Sequence, residues 1–470
     1  MKFTIPPAVA LVTLFSAACQ GPAVPPDTKE RVAMPVREEF RNAPEGAAAR
    51  DSGKVADNWI ETFSDSRLTA LVQEAESKNP DLAIAVARRN RALAEAGKAD
   101  SALSPKVDAV MGAERASASS ATAERFNLGL SVSWEADVWG RLADASKAAE
   151  LDAIAAQADY EFARQSIAAQ VAAAWFLAIS AQEQLALDKL LLTERQRVQR
   201  ITQARFDVGE ARQLDLDLVV GQTAAQQQAV DASQGALESS LRSLEALLGR
   251  YPSQEIEVLT TLPELPPSPP VGLPSELLER RPDVVAADRR VAAAFNRVGS
   301  AKAAKLPRIG LTAGGGLASG DLSSLFDPGQ AVWNLGANLL GPLFDGGERE
   351  AQVRIAQAAE QESLANYVKV AQRAFLEVET ALANERILRL RDANLKTAEE
   401  RLLRARNAGE ERYKVGEMTI LDVDQLHTDH AAAAKQRLQV RQELFRQRIN
   451  LHLALGGSFE ARAATPAQKP

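Results

Sequence analysis

The sequence predicts a mostly α-helical, internally duplicated chain with a small β part. Three observations carry that expectation. One turn occurs twice, as Arg205-Phe206-Asp207-Val208-Gly209-Glu210 and again as Arg412-Tyr413-Lys414-Val415-Gly416-Glu417. Each copy is followed by an acidic pair, Asp215 and Asp217 after the first and Asp422 and Asp424 after the second, and every equivalent pair stands 207 positions apart. Two separate stretches switch to a period of two, whereas the rest follows helical spacing over long runs without a breaker.

The bulk numbers agree with a folded chain. Its 470 residues are 25% charged and 46% hydrophobic, which is no disordered composition. The net charge of −7 leaves no basic footprint for nucleic acid. Aromatics are only 5%, and Ala-rich runs such as 168–174 predict close helix-on-helix packing rather than a thick globular core.

Taken in order, residues 1–18 read as a signal peptide: Lys2, an apolar run from Ala8 to Phe15, then Ser16-Ala17-Ala18. Cys19 is the only cysteine, so no intrachain disulfide is possible. This layout resembles a bacterial lipoprotein signal, with Cys19 as the lipidated first residue; Gln20 behind it resembles sorting to the outer membrane. Residues 19–57, rich in Pro and charge, are expected to form an extended lead segment.

The first repeat is expected over 58–262. Helical spacing begins near Trp59, breaks at Asn79-Pro80 and ends at Ser104-Pro105. A strand hairpin is expected over about 106–137. Phe126, Leu128, Leu130, Val132 and Trp134 alternate with Asn127, Gly129, Ser131, Ser133 and Glu135; Val107, Ala109, Met111 and Ala113 mark the partner strand, and the polar tract 117–124 the loop. From Arg141 a helix of roughly 65 residues, about 100 Å, reaches Gly209, and a return helix runs from about Leu214 to Leu248. A Pro-rich stiff linker occupies 263–274. The second repeat, 275–457, follows the same plan, with a hairpin over about 308–344, a long helix from Gly346-Gly347 to about Ala408, the tip at Gly416 and a return helix over 418–455. Each long helix is expected to pair with two shorter ones placed end to end. The tail 458–470 is expected to be disordered.

The strands, at roughly 9–11 residues, have the length that crosses an outer membrane when tilted. One face is apolar and suits lipid; the other, of Asn, Gly, Ser and Thr, suits water. No helical apolar run reads as long enough to cross a bilayer. Four strands cannot close a barrel, and lipid does not tolerate open sheet edges. Three copies give twelve strands around a water-filled lumen, whereas two give eight and a lumen filled by side chains. A homotrimer in contact with outer-membrane lipid is therefore expected.

Leu278-Glu279-Arg280-Arg281-Pro282-Asp283-Val284 and the segment from Gly299 to Ile309, Gly-Ser-Ala-Lys-Ala-Ala-Lys-Leu-Pro-Arg-Ile, resemble the hallmark of the TolC-like outer-membrane factors, in particular the lipoprotein branch serving RND-type drug pumps. The resemblance extends from about Trp59 to Gly456. It implies a trimeric 12-stranded transmembrane β-barrel continued by a long periplasmic α-helical barrel. It also implies a passive exit duct whose tips dock on a periplasmic membrane-fusion adaptor, driven by an inner-membrane pump of the RND type. The channel would be no enzyme and would need no cofactor.

Two readings of the tips stand together. Val208-Gly209-Glu210 and Val415-Gly416-Glu417 are helix-ending turns and also resemble the family's adaptor contacts. Asp215, Asp217, Asp422 and Asp424 suit the positive ends of helices. Three-fold symmetry would also gather the second pair into an acidic ring that favours cations. The family places acidic residues at this constriction; Asp422 falls on one such position, and Gln425 stands where a second Asp is frequent. Leu421 supplies an apolar constriction as the alternative. Arg205 or Arg412 is expected to hold the mouth shut.

His427 and His430, three apart on a helix near Asp424, read as a solvated face rather than a metal site; His452 is the third histidine. No nucleotide loop, nucleophile–base set or cysteine cluster occurs. The alternatives are a type I protein-secretion conduit, a heavy-metal efflux channel and a coiled-coil scaffold.

Overall fold

The computed structural model describes residues 25–32, 36–37, 39–42, 58–118 and 121–457. The signal peptide, Cys19 and the tail from 458 lie outside the described residues.

The chain is mostly helical. It runs α1 (Thr28–Arg31), a 3-10 turn (Trp59–Phe63), α2 (Ser66–Lys78), α3 (Pro80–Asp100), β1 (Lys106–Ala118), β2 (Ala121–Ala136), α4 (Arg141–Asp207) and α5 (Gln213–Leu247). It continues with α6 (Pro274–Arg280), α7 (Pro282–Ala303), β3 (Arg308–Ser319), β4 (Ala331–Leu340), α8 (Glu348–Lys414) and α9 (Ile420–Ala454). Two compact units are distinguished. One comprises 86–159 and 283–370 with the described residues before 36; the other comprises 36–85, 160–282 and the chain from 371.

The helices begin and end where the local chemistry directs. Asp65 caps α2 by accepting from the amides of Arg67 and Leu68, and its other oxygen accepts from Trp175 Nε1 at 2.8 Å. Asn79 accepts from the amides of Asp81 and Leu82, so Pro80 opens α3 with no donor wasted. The helices α4 and α8 are both 67 residues long, and α5 and α9 are both 35. Gly209 and Gly416 end the long pair at φ 79°, in the left-handed region that glycine enters without strain. The next amide returns to a carbonyl five residues back, Glu210 to Arg205 at 2.8 Å and Glu417 to Arg412 at 2.9 Å.

Three sequence expectations are corrected here. The helix expected to stop near Ala408 continues to Lys414. Gly409 is no terminator: a Cβ there would lie 2.4 Å from Leu426 Cδ1, so the glycine seats a leucine of α9. The tract 117–124 is not all loop, because the β1–β2 ladder carries on through Ser117 opposite Thr122. Finally, α4 does contain an 18-residue window long and apolar enough to cross a membrane, half of it buried in the structure. Its residues Ile167, Val171, Trp175, Phe176 and Ile179 lie in the core of the second unit, which explains that apolarity without lipid.

That core also takes Trp59, Phe63, Leu68, Leu241, Leu244, Phe445 and Ile449. Phe176 and Phe445 pack at 4.4 Å between ring centres, and His452 stacks on Trp59 at 5.3 Å. Burial, reinforced by Arg448, pulls the His452 imidazole down to about 3, so it is neutral in the packed state. The Pro-rich linker is held rather than free. Arg448 is fully buried and donates to the carbonyls of Pro266 and Pro267, to Ser268 Oγ and to both oxygens of Glu385. Arg441 donates to the carbonyls of Leu262 and Pro263.

Candidate functional site: the sheet wall and the hairpin ends

The four strands form one antiparallel sheet in the order β1-β2-β3-β4, so β1 and β4 are its edges. The register merges the two sequence hairpins into one surface. Met111 lies opposite Leu128, and Ala109 opposite Leu130. Trp134 lies opposite Leu311, Val132 opposite Ala313 and Leu128 opposite Leu317. Ile309 lies opposite Leu339, Ala313 opposite Leu335 and Gly315 opposite Trp333. Directly opposed residues share a face, so one face is apolar across all four strands. Its large side chains stand in the open: Met111 is 80% exposed, Trp333 82% and Leu335 78%. A row of this kind in water would be an association site, whereas lipid is its natural solvent.

The other face carries Asp108, Gly112, Asn127, Gly129, Ser131, Ser133, Thr312, Gly314, Asn334, Gly336 and Asn338. A Cβ placed on Gly129 would lie 2.6 Å from the carbonyl oxygen of Gly315, and one on Gly316 would lie 2.3 Å from that of Leu128. The neighbouring backbone therefore leans over this face, and only glycine leaves it room.

The hairpin ends were placed in sequence by their glycines, and the structure brings them together through an apolar cluster. Val198, Leu216, Val219 and Ile420 are buried, with Phe206, Tyr413 and Leu421 packed against them. Val208 and Val415 remain exposed, at 71% and 72%. The four aspartates do different things. Asp215 accepts from the backbone amide and the guanidinium of Arg212, which holds its carboxyl below the usual range. Asp217 accepts from Gln213 Nε2 at 2.7 Å. Asp422 is exposed and completes a reciprocal cap: Thr419 Oγ accepts from the Asp422 amide, and the Asp422 carboxylate accepts from the Thr419 amide and hydroxyl. Those hydrogen bonds lower its pKa. Gln425, also exposed, donates to Asp429 at 2.7 Å.

Asp424 is buried, and its partner is neither Arg205 nor Arg412. Arg195 of α4 donates to it at 2.5 Å, to Gln222 Oε1 at 2.7 Å and to Thr428 Oγ at 2.8 Å. Burial pushes the Asp424 carboxyl up against the pull of Arg195 and His427. Arg205 lies over the Tyr413 ring, 5.8 Å from its centre. A second buried pair joins the same helices, with Asp188 of α4 bound by Gln184, Gln226 and Lys435 of α9. Sequence reasoning missed Arg195, Asp188 and Lys435. Their only signal is a charge at a position where the surrounding helical pattern calls for an inward residue. His427 contacts Glu410 at 2.7 Å and His430 meets Arg406 at 3.4 Å, so the two have different neighbours.

A sheet with one face for lipid and one for water, in a chain otherwise made of long paired helices, defines a channel-forming protein of the outer membrane. The chain belongs to the outer membrane efflux protein family, whose model matches residues 71–250 and 273–457. It is 28% identical over 464 residues to the cation efflux system protein CusC of Escherichia coli O6:H1, covering 97% of this chain and 99% of that one. It is 30% identical over 472 residues to the pyoverdine export outer membrane protein OpmQ of Pseudomonas putida, covering 97% of each. Among solved structures, it is similar to the CmeC outer membrane channel of Campylobacter jejuni, with a TM-score of 0.85, 26% identity and coverage of 94% of this chain and 96% of that one. The open-state MtrE channel of Neisseria gonorrhoeae gives a TM-score of 0.82 at 25% identity, covering 93% and 98%.

Proposed function

We propose that the chain is the exit duct of a tripartite efflux system. It carries drugs or other small toxic compounds across the outer membrane and is coupled to an inner-membrane pump of the RND type through a periplasmic adaptor. One observation carries the reading most directly: a single apolar face extends over all four strands while β1 and β4 remain sheet edges. In lipid such edges must pair, and three copies supply twelve strands. The helices continue this barrel as a periplasmic one. The equal helix lengths and the constant offset of 207 support a duplicated chain. Val208-Gly209-Glu210 and Val415-Gly416-Glu417 are the adaptor contacts, with two exposed valines at glycine-ended turns in support.

Leu421, Asp422, Asp424 and Gln425 form the periplasmic gate in this reading. Asp422 and Gln425 are its exposed groups, Leu421 is packed against the apolar cluster, and Asp424 is tied to Arg195 behind them. Asp215 and Asp217 order the first hairpin end. Cys19 carries the lipid anchor. The relatives' names specify different cargoes, a cation in one and pyoverdine in another. The inherited property is therefore the duct, and the pump selects the cargo.

The test compares two adjacent residues. Leu130→Arg places a charge on the lipid face and should hamper insertion by roughly 2–4 kcal/mol at mid-bilayer, whereas Ser131→Arg faces water and should be tolerated. Equal effects in membrane-fraction assays, or a monomer in mild detergent, contradict the duct. A deletion strain should accumulate dyes and antibiotics.

A further inference from the structure

The polar face of the sheet holds three asparagines, and each lies across from a glycine. Asn127 pairs with Gly112, Asn338 with Gly310 and Asn334 with Gly314. The geometry is the same each time. The amide oxygen sits where the glycine's side chain would begin: 2.5 Å from a Cβ built on Gly112, 2.2 Å for Gly310 and 2.4 Å for Gly314. The amide carbon follows at 3.4, 3.2 and 3.4 Å. At the first two sites the amide nitrogen also lies close, at 3.5 and 3.4 Å. The whole amide therefore rests on the glycine backbone. Thr312 repeats the arrangement with a shorter side chain, its Oγ lying 2.9 Å from a Cβ built on the opposing Gly336.

Glycine weakens a strand, because it adds backbone entropy and packs nothing. A glycine opposite every one of these amides calls for a return on that loss. An asparagine facing an ordinary residue would have to stand away from the sheet, whereas one facing glycine can fold down onto it. We propose that these glycine–asparagine pairs lay the amides flat against the inner wall of the outer-membrane section. The bore at these pairs is then set by the backbone, and the amides form a smooth surface beside the charged groups of the same face, Asp108 and Glu135. The amides wet the duct without narrowing it, which suits cargo of mixed size. This inference rests on the channel reading and adds to it which residues set the bore.

The experiment uses the full-length trimer in planar bilayers. Neutral polyethylene glycols of graded size are added from the extracellular side, where the barrel is entered first. In the triple variant Gly112→Ala/Gly310→Ala/Gly314→Ala each new methyl group displaces only the flexible end of an asparagine, so the sheet should form and the amides should swing into the lumen. Conductance and the polymer size cut-off should both fall. Adding Asn127→Ala, Asn334→Ala and Asn338→Ala to that variant should restore both. The three asparagine changes alone, with all glycines kept, should leave the cut-off at its wild-type value, because flat amides occupy no lumen. An unchanged cut-off in the glycine variant, a loss that removal of the asparagines does not relieve, or a wider bore in the asparagine variant overturns the proposal. A wild-type protein without conductance overturns the channel reading itself and this inference with it.

Discussion

Replacing Arg195 by methionine tests what holds the two hairpin ends together. The substitution keeps most of the side chain's apolar length and removes its charge. Asp424 would remain 4% exposed with no cation against it. Removing one partner of a buried pair is strongly destabilising because the other charge is left in low dielectric; with both partners here slightly exposed, about 2–4 kcal/mol is expected. At 1.4 kcal/mol per tenfold, that is roughly a 30- to 700-fold rise in the local opening of α9 from α4. The mechanism carries a pH signature. The Asp424 carboxyl already sits above its ordinary value, and without Arg195 it must rise further. The ionised form is what costs energy, so the defect should be largest at neutral pH and should shrink as acid protonates Asp424. Hydrogen exchange of residues 195–223 and 420–430 at pH 7.5 and pH 5.5 reads this directly, alongside bilayer conductance. Arg195→Met/Asp424→Leu removes both charges and should recover most of the protection. Equal losses at both pH values, or a double variant no better protected than the single one, would refute the buried-charge argument.

Three further outcomes follow from the same structure. His452 has its folded pKa lowered to about 3 from 6.5, so the unfolded chain takes up a proton first as pH falls; the contribution is complete above pH 6.5 and is lost progressively towards pH 3, with about 2 kcal/mol of it lost by pH 5. His452→Phe should flatten that part of the pH dependence, as read by thermal unfolding followed through tryptophan fluorescence. Arg448→Met should release the linker carbonyls and leave Glu385 with only Arg389 and Ser268, so limited proteolysis should cut within 263–270 in the variant and not in the wild type. Gly416→Val forces a β-branched residue to φ 79°, which costs at least about 1–2 kcal/mol locally; the protein should reach the membrane at normal level while dye efflux fails.

The legible parts of the fold are those with a single chemical solution. A glycine in a long helical pattern, followed by a new apolar stripe, allows little but a left-handed stop, and Gly209 and Gly416 adopt it. Strict alternation from Phe126 to Trp134 fixes which side chains share a face, and the register then joins all four strands on that face. Other features depend on neighbours that the sequence does not identify. The polar tract after Glu114 stays in the ladder because opposite charges face each other, Glu114 with Arg125 and Arg115 with Glu124, a cross-strand pattern invisible along one strand. Gly409 reads as a stop until Leu426 is seen above it. Helical spacing identifies an inward face, but not the rotation of α4 against α9, so Arg205 looks as good a partner for the aspartates as Arg195.

The buried charges show what the two halves do not share. The counterparts 207 positions away from Arg195, Asp188, Lys435 and Arg448 are Leu402, Leu395, Gln228 and Leu241, and the counterpart of buried Asp424 is the exposed Asp217. Helix lengths are equal across the halves, yet the charges of Arg195, Asp188, Lys435 and Arg448 occur in one half only, and the aspartate is buried in one half only. Packing alone would not need them, since small residues and leucines at heptad-like spacing fill a seam in more than one register. Two pairs of opposite polarity remove that freedom. On α4 the order towards the hairpin end is Asp188 then Arg195, and on α9 the order away from it is Asp424 then Lys435, each facing its opposite. Sliding α9 by about two turns would begin to bring acid against acid or base against base, with a desolvated like-charge contact in place of a pair. Net stability over leucines is not what distinguishes them, since buried ion pairs are often no more stabilising than apolar residues of similar size. Their contribution is to admit one register of the two hairpins and to make departure from it a discrete step, which is what the proposed gate requires.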